Sequence, residues 1–204
     1  DIPGLKKGLL PSLDFYDSWY GKNRWAFSTI YSNSIGEGEL GVSPIQMANL
    51  AAIIANKGYY YTPHLVKKIG KNGTKRPEFL KQLSTEIDSV FYNPVIDAME
   101  RVVLYGTAKS AQIDSISVCG KTGTVENKNF NDHSVFIAFA PKENPKIAIA
   151  VYVEFGTWGG TWAAPIASVL IEKFLKGKLS EKGKVKKMKI EKAIILNKNS
   201  DFTF

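Results

Sequence analysis

The sequence predicts an α+β fold in which an antiparallel sheet is packed by helices, including the last helix of the folded region. Three apolar segments of strand length, 117–125, 134–140 and 146–155, predict the sheet. The five-residue turn at 141–145 begins and ends in proline, so the second and third strands should form an antiparallel hairpin. Apolar residues at helical spacing follow over 162–175, and strands succeeded by a helix are typical of this layered architecture.

The composition is that of a globular protein with a buried core. Of the 204 residues, 44% are hydrophobic and 23% are charged, which excludes a disordered chain. No apolar stretch approaches the roughly 20 residues needed to cross a bilayer. Cys119 is the single cysteine, so no internal disulfide can form and no metal site is expected. The residue should be a small buried strand residue. We predict a folded region over 1–176 and a lysine-rich tail over 177–204.

The positive charge is concentrated near the C-terminus. The formal net charge is +8, and 172–192 contributes +6 of it through nine lysines and three acids. A nucleic-acid surface would interleave basic residues with stacking aromatics. Phe174 is the only aromatic residue in this stretch, so no nucleic-acid partner is expected. We interpret the tail as a solvated lysine-rich extension, and attraction to an anionic surface is the alternative.

Residues 1–42 are predicted to be irregular because glycine and proline interrupt them repeatedly. The segment is also rich in aromatic side chains, which are expected to pack it onto a core rather than to bind a ligand. These aromatic residues are Phe15, Tyr16, Trp19, Tyr20, Trp25, Phe27 and Tyr31.

A first helix is predicted to begin at Ser43, where Ser-Pro-Ile-Gln forms a capping box with proline at the first helical position. Gly58 can end this helix in a left-handed conformation. The apolar residues at 59–61 and 65–66 then predict a short hairpin that turns at 71–73.

A second helix is predicted from Asn93 and Pro94, which we interpret as a cap followed by proline. Apolar residues at i, i+3, i+4 and i+7 spacing would form its buried face, and 106–108 would end it. The predicted face comprises Val95, Ala98, Met99, Val102 and Val103.

The run Lys121-Thr122-Gly123-Thr124 lies in the first predicted strand and contains the candidate functional groups. Side chains alternate along a strand, so Thr122 and Thr124 should point the same way and can bind one carboxylate with two hydroxyls. Lys121 would project to the opposite side, where its ammonium can raise the local positive potential and help to move a proton. Gly123 lets a ligand approach the backbone closely. These groups can hold and polarise a substrate, but they cannot form a covalent acyl-enzyme.

A serine nucleophile for such chemistry is missing from the sequence. Lys-Thr-Gly is one of three signatures of the penicillin-recognising acyl-serine enzymes, together with Ser-x-x-Lys and Ser-x-Asn or Ser-Asp-Asn. No serine of the chain has lysine three residues on or asparagine two residues on. The motif therefore predicts the substrate-holding strand of a site whose nucleophile lies elsewhere.

Several short runs, in order, resemble the C-terminal part of the transpeptidase domain of class B penicillin-binding proteins. The resemblance covers residues 1 to about 176, with Glu37 and Ser43 in place of the glutamine and threonine that are usual in the family. Trp19-Tyr20 and Asp132-His133 look most like the elongation type, penicillin-binding protein 2. The runs are 2–4, 8–12, 34–40, 43–48, 63–66, 106–108, 120–124, 139–141 and 163–166.

The resemblance implies a partial penicillin-binding or serine β-lactamase-like fold and a peptidoglycan D,D-transpeptidase that uses no cofactor. In that family a serine attacks the penultimate D-Ala carbonyl of a stem peptide, expels the terminal D-Ala and passes the acyl group to an amine. The resemblance implies that Lys121 assists proton transfer, and that Thr122 and Thr124 bind the carboxylate of the substrate or of a β-lactam. It also implies that the Thr124 amide forms half of the oxyanion hole and that Gly123 belongs to the same substrate-binding strand.

The family also implies what the rest of the protein contains. The nucleophile would lie upstream of Asp1, so this chain alone is expected to be inactive. The parent protein would be anchored in the bacterial inner membrane and act at its periplasmic face. Its partners would be stem peptides ending in D-Ala-D-Ala, β-lactams and membrane proteins of the elongation machinery.

Two other interpretations remain open at this point. A β-lactam sensor or a serine β-lactamase relative would share the strand motif but not the Ile-Gly-x-Gly and Pro-Ile-Gln-Met segments. A catalytically inactive module would bind peptidoglycan or a protein partner. His133 is expected to be structural, and 158–160 is expected to be a packed connection, with a mobile loop near the cleft as the alternative.

Overall fold

The computed structural model describes residues 2–71 and 73–193. The chain forms two compact units, Ile2–Ser43 and the residues from Pro44 onward. The first unit contains two helices, and the second contains the sheet and the remaining helices. None of the helices in the described ranges is long and apolar enough to span a bilayer.

Two helices in the first unit contradict the prediction that residues 1–42 are irregular. Helix α1 spans Leu13–Tyr20, and helix α2 spans Phe27–Ser34. Ser12 caps α1, because its hydroxyl accepts a hydrogen bond from the Phe15 N–H at 3.1 Å. The glycines and prolines of this segment all fall outside both helices, so they delimit the helices instead of breaking them.

The aromatic residues of the first unit pack around Tyr16, which is 4% exposed. Its ring lies 5.6 Å from Trp25 and 6.3 Å from Tyr20, centroid to centroid. Glu39 accepts hydrogen bonds from the hydroxyls of Tyr16 and Tyr20, and the bond from Tyr20 is the main cause that lowers the pKa of Glu39. The expected packing onto a core is only partial, since Trp19 stacks on Phe15 at 5.7 Å but is 69% exposed.

The second unit begins with helix α3, Pro44–Ala55, which confirms the first predicted helix. The chain turns soon after the helix ends. The Gly58 N–H donates to the Ile53 carbonyl at 2.9 Å, and Gly58 has a φ of +109°. The left-handed residue is Lys57, with a φ of +57°, so the left-handed cap predicted at Gly58 lies one residue earlier.

The hairpin predicted after α3 is wrong in its choice of partner. Strand β1, Tyr59–Tyr60, pairs antiparallel with strand β2, Leu83–Ser84, and not with 65–66. The pairing is extended by one more bond, because the Thr85 N–H donates to the Gly58 carbonyl at 2.8 Å. The partner strand is two residues long, so its apolar pattern was too short to predict it.

The chain between β1 and β2 contains a turn of its own. Ile69 and Thr74 exchange backbone hydrogen bonds of 2.8 and 3.0 Å. These bonds close the predicted turn at 71–73, of which Asn72 lies outside the described residues. Pro63 has no N–H and cannot continue a ladder of hydrogen bonds, so β1 does not run into this turn.

Helix α4 spans Tyr92–Leu104, which confirms the second predicted helix but not its start. The preceding turn is capped by Asp88, whose carboxylate accepts a hydrogen bond from the Val90 N–H at 3.0 Å. Asn93 therefore lies inside the helix and does not cap it. Pro94 is the third helical residue, a position where the backbone N–H has no helical partner.

Helix α4 has two apolar sides, and only one of them is buried. The buried residues are Tyr92, Ile96, Met99 and Val103, whereas Val95 is 44% exposed. The predicted buried face is therefore correct for Met99 and Val103 and wrong for Val95 and Ala98, which are exposed. The Val95 side of the helix faces an open groove.

A three-stranded antiparallel sheet in the order β3-β4-β5 lies at the centre of the second unit, as the sequence predicted. Strand β3 spans Cys119–Val125, β4 spans His133–Ala140 and β5 spans Ile147–Val153. The turn at 141–145 joins β4 to β5, and Ala140 lies opposite Ile147 where the hairpin closes.

Helices cover both faces of the sheet. Alternate residues of β4 belong to two different clusters of buried side chains. Phe136 packs in one cluster with Ile171 of helix α5, which spans Ala163–Lys176, and Phe139 packs in the other with Met99 of α4. The α+β architecture with a packed C-terminal helix is thus confirmed.

Part of the predicted lysine-rich tail is a helix that packs against α5. Helix α6 spans Glu181–Glu191, and a Cβ atom at its Gly183 would overlap the carboxylate of Glu172. The Lys186 ammonium donates to the carbonyl of Ser110 at 2.8 Å, and burial lowers the pKa of this lysine. The solvated extension expected from the charge is therefore wrong for this side of the helix, while the end of the tail lies outside the described residues.

The packing of the sheet requires glycine at position 120. Gly120 lies opposite Ala138 on the neighbouring strand, next to the fully buried ring of Phe136. A Cβ atom at Gly120 would overlap that ring and would approach a second ring carbon to 2.7 Å. Since the interior of a protein is densely packed, no side chain fits here unless the core rearranges.

Gly120→Ala should lower the free energy of unfolding by about 1–3 kcal/mol, because the added methyl group must displace Phe136 in a filled core. Denaturant unfolding of the variant measures the change. Gly123→Ala is the matched control on the same strand, since its Cβ would meet Val135 at an ordinary 3.4 Å. Equal stability of the two variants would contradict the requirement for glycine at position 120.

Candidate functional site

Strand β3 is an edge strand of the three-stranded sheet. It pairs with β4 along its whole length, and no other strand within the described ranges pairs with its opposite side. Backbone groups on that side are open to a ligand that adds to the sheet in extended form. Lys121, Thr122, Gly123 and Thr124 occupy the middle of this strand, as the sequence predicted.

The register divides these four residues between the two faces of the sheet. Residues that lie directly opposite each other on neighbouring strands share a face. Thr122 and Thr124 therefore share one face, and Lys121 projects from the other. The opposed pairs are Thr122 with Phe136, Thr124 with Ser134, Lys121 with Ile137 and Gly123 with Val135.

Lys121 lies at the rim of an apolar groove formed with α4. The groove has a volume of about 520 Å³. The Lys121 ammonium donates a hydrogen bond to the Thr122 carbonyl at 2.7 Å. The groove is open and Lys121 is exposed, so solvent screens this charge, and a ligand that excluded water from the groove would reduce that screening. The other lining residues are Ile54, Pro94, Val95, Ala98, Met99, Val102 and Ile137.

Thr122 makes a contact that the sequence did not predict. Its hydroxyl oxygen lies 2.7 Å from the hydroxyl oxygen of Thr107, which belongs to the turn that follows α4. The sequence indicated only that 106–108 ends that helix and resembles a short run of the family. The one sequence signal of a further role was that the run Gly106-Thr107-Ala108 contains a hydroxyl residue next to a glycine.

Gly123 is not required by the fold in the way that Gly120 is. The nearest atoms to a Cβ built at Gly123 belong to Val135, at 3.4 and 3.7 Å, which are ordinary contact distances. A side chain at this position is therefore compatible with the packing of the described residues. Its absence leaves the backbone of the strand accessible from outside.

Thr124 is exposed, and its hydroxyl makes no hydrogen bond with any other described residue. The two threonines therefore differ. The Thr122 hydroxyl already has a partner in Thr107, whereas the Thr124 hydroxyl has none among the described residues. Both lie on the same face of an edge strand. Two hydroxyls in this relation can donate to the two oxygens of one carboxylate.

His133 is held in a structural environment at the start of β4. Its Nδ1 accepts a hydrogen bond from the Phe155 N–H at 3.1 Å, and its Nε2 lies 3.3 Å from the side-chain nitrogen of Asn127. The ring also packs 5.3 Å from the rings of Tyr152 and Phe155. Both ring nitrogens are engaged outside the Lys-Thr-Gly-Thr run, which agrees with the expected structural role.

Cys119 is a buried strand residue, as predicted. It is 0% exposed and packs with Phe139 and Met99. Burial is the main cause that raises its pKa to about 12. The residue is therefore a neutral thiol at physiological pH and not a nucleophile.

The site and its fold match known proteins. The profile of the penicillin binding protein transpeptidase domain matches residues 10–172. The peptidoglycan D,D-transpeptidase MrdA of Acinetobacter baumannii is 29% identical over 206 residues, which cover 86% of this chain and 28% of MrdA. The peptidoglycan D,D-transpeptidase PbpA of Mycobacterium tuberculosis is 34% identical over 160 residues, which cover 71% of this chain and 31% of PbpA.

Solved structures give the same result. The crystal structure of Pseudomonas aeruginosa PBP2 in complex with WCK 5153 aligns with a TM-score of 0.72 and 32% identity, over 86% of this chain and 39% of that protein. The ceftriaxone acyl-enzyme complex of penicillin-binding protein A from M. tuberculosis aligns with a TM-score of 0.63 and 30% identity, over 71% of this chain and 35% of that protein.

The matched region is a part of each relative. The chain spans about 28–31% of the length of the two curated transpeptidases. The match includes both the sheet and the edge strand that bears Lys121 and Thr122. The chain therefore belongs to the family of penicillin-binding protein transpeptidase domains and corresponds to the C-terminal part of such a domain.

Proposed function

We propose that the parent protein is a peptidoglycan D,D-transpeptidase that cross-links the cell wall by an acyl-serine mechanism and is inhibited by β-lactams. This chain supplies the substrate-holding strand and not the nucleophile. The observation that carries the proposal is the edge strand β3, where Thr122 and Thr124 share one face and Lys121 borders the groove. The relatives named as D,D-transpeptidases support it.

The two threonines bind the terminal carboxylate of the stem peptide. Hydroxyl donors to a charged acceptor contribute roughly 1.5–3 kcal/mol each. Thr122 and Thr124 lie two residues apart on one face of the strand, so both can reach one carboxylate. The same contact would hold the carboxylate of a β-lactam, which makes the strand selective for acyl donors with a negative charge beside the reactive carbonyl.

The reaction proceeds in two acyl transfers. A serine oxygen attacks the penultimate D-Ala carbonyl, and the bond to the terminal D-Ala breaks as its nitrogen takes up a proton. An amine of a neighbouring strand then attacks the ester, and the serine oxygen recovers a proton. Splitting one amide exchange into these two steps is what a covalent nucleophile contributes.

The strand contributes to both transfers without forming a covalent bond. The Lys121 ammonium stabilises negative charge in the groove and helps to move the proton. The Thr124 N–H donates to the oxyanion that forms at the attacked carbonyl, and the loss of one such donor costs about 10²–10³ in rate. Glycine at position 123 leaves room for the substrate backbone, since the fold itself does not require it there.

The family relationship also supports a location and a set of partners. We place the parent protein at the periplasmic face of the bacterial inner membrane, where stem peptides ending in D-Ala-D-Ala are found. The similarity to MrdA and to PBP2 supports the elongation type, whose partners are membrane proteins of the elongation machinery.

A fluorescent penicillin should label the full-length protein covalently and should not label the chain of 204 residues. The label needs a nucleophilic serine, and the chain has no Ser-x-x-Lys. Denaturing gel electrophoresis with fluorescence detection measures the result, with unlabelled penicillin as the competitor. Labelling of the isolated chain would contradict the claim that its nucleophile lies elsewhere, and an unlabelled full-length protein would contradict the acyl-serine mechanism.

Lys121→Ala in the full-length protein should lower the acylation rate constant by roughly 10²–10⁴-fold, as expected for a group that assists proton transfer. The melting temperature should change little, because the side chain is exposed. Stopped-flow acylation and thermal unfolding measure the two effects. Lys128→Ala removes an exposed lysine just beyond the strand and serves as the control. Equal acylation rates for the two variants would exclude Lys121 from the reaction.

A further inference from the structure

The hydroxyl of Thr107 lies 2.7 Å from the hydroxyl of Thr122, and this contact decides what Thr122 can donate. Each hydroxyl has one proton and can accept further hydrogen bonds. If Thr122 donated its proton to Thr107, it would have none left for a carboxylate, which only accepts. Thr122 can bind a carboxylate as a donor only when Thr107 donates to Thr122.

The resulting arrangement is a relay of two hydroxyls that ends on the ligand. Thr107 donates to Thr122, and Thr122 donates to the carboxylate. Consecutive hydrogen bonds polarise one another, so the second bond is stronger when the first is present. A carboxylate also selects this orientation, because the opposite one places a hydroxyl lone pair against a negative charge.

Thr107 is fixed by the loop that joins β5 to α5. A Cβ atom at Gly160 would overlap the Thr107 carbonyl oxygen, so the loop backbone lies directly on the turn that contains Thr107. The Ser110 hydroxyl donates to the Gly160 carbonyl at 2.7 Å. The Ala108 N–H donates to the Val102 carbonyl at 3.1 Å, which ties the same turn to α4.

Thr122 is confined by the same loop. A Cβ atom at Gly159 would lie 3.0 Å from the Cβ of Thr122 and 2.7 Å from the Gly123 carbonyl oxygen. The loop therefore packs against the strand at the point where Thr122 projects. This close approach favours glycine at 159 and limits the positions that the Thr122 side chain can adopt.

Ser134 holds this loop in place from inside the sheet. It is 0% exposed, and its hydroxyl donates to the Trp158 carbonyl at 2.9 Å and accepts from the Ala163 N–H at 3.0 Å. Ser134 lies opposite Thr124 in the register of β3 and β4. The loop over 158–160 is thus a packed connection, as expected, and it is anchored to the strand next to the site.

We propose that Thr107 is a positioning residue that orients the Thr122 hydroxyl for donation to the carboxylate of the acyl donor. The proposal rests on the proposed function, since it assigns a part of the carboxylate site. Thr107 acts through Thr122 and makes no contact with the reacting atoms. Its effect is therefore specific to ligands that carry the carboxylate.

Thr107→Val removes the donor and keeps the shape of the side chain. We expect the dissociation constant that precedes acylation by benzylpenicillin to rise roughly two- to tenfold, the range for one hydrogen bond. The limiting acylation rate should change less. For benzylpenicillin methyl ester, in which the carboxylate is masked, the variant should behave like the unaltered protein. Thr107→Ser should restore the affinity for benzylpenicillin, because it restores the donor.

The measurement is the concentration dependence of acylation in the full-length protein, together with thermal unfolding of each variant. Thr74→Val serves as the control, since it makes the same substitution at an exposed threonine in the loop between β1 and β2. An equal loss for benzylpenicillin and its methyl ester, or no rescue by serine, would overturn the positioning role while leaving the proposed function intact. A full-length protein that neither ligand acylates would overturn both.

Discussion

A single register between β3 and β4 fixes which side chains reach which side of the sheet. Gly120 sets this register in the core, because only a residue without a side chain fits against the buried ring of Phe136. From that point the alternation of the strand places Thr122 and Thr124 on one face and Lys121 on the other. A slip of one residue would exchange the two faces, so the chemistry of the motif depends on the packing of its glycine.

The two faces then acquire different surroundings. On one side Lys121 borders an apolar groove that is open next to α4. On the other side the hydroxyl of Thr122 lies 2.7 Å from the hydroxyl of Thr107. The buried Ser134 anchors the loop over 158–160, which packs against Thr107 and Thr122. In the proposed function, this one short strand stabilises charge at the reacting carbonyl and binds the carboxylate beside it.

The sequence predicted the parts of the fold whose signals are local. The three strands, the hairpin between β4 and β5, and helices α3, α4 and α5 follow from apolar spacing and turn residues. Helix α1 was not predicted because the frequency of glycine and proline over 1–42 hid a helix that lies between them. The β1–β2 pair was not predicted because its partner strand has only two residues.

Prediction of the candidate site from the sequence is limited in the same way, because only local signals could be used. The motif Lys121 to Thr124 is contiguous, so its alternation could be predicted from the sequence alone. The contact of Thr107 with Thr122 joins residues 15 positions apart and depends on how α4, the following turn and a distant loop pack. The packing of Lys186 of α6 against Ser110 is a tertiary contact of the same kind, which is why charge alone suggested a solvated tail.

The most direct test of the roles proposed for the two threonines is a crystal structure of the full-length protein acylated by benzylpenicillin. The carboxylate oxygens should lie within about 3 Å of the hydroxyls of Thr122 and Thr124, the usual range for such hydrogen bonds. A carboxylate bound away from both hydroxyls would contradict these roles.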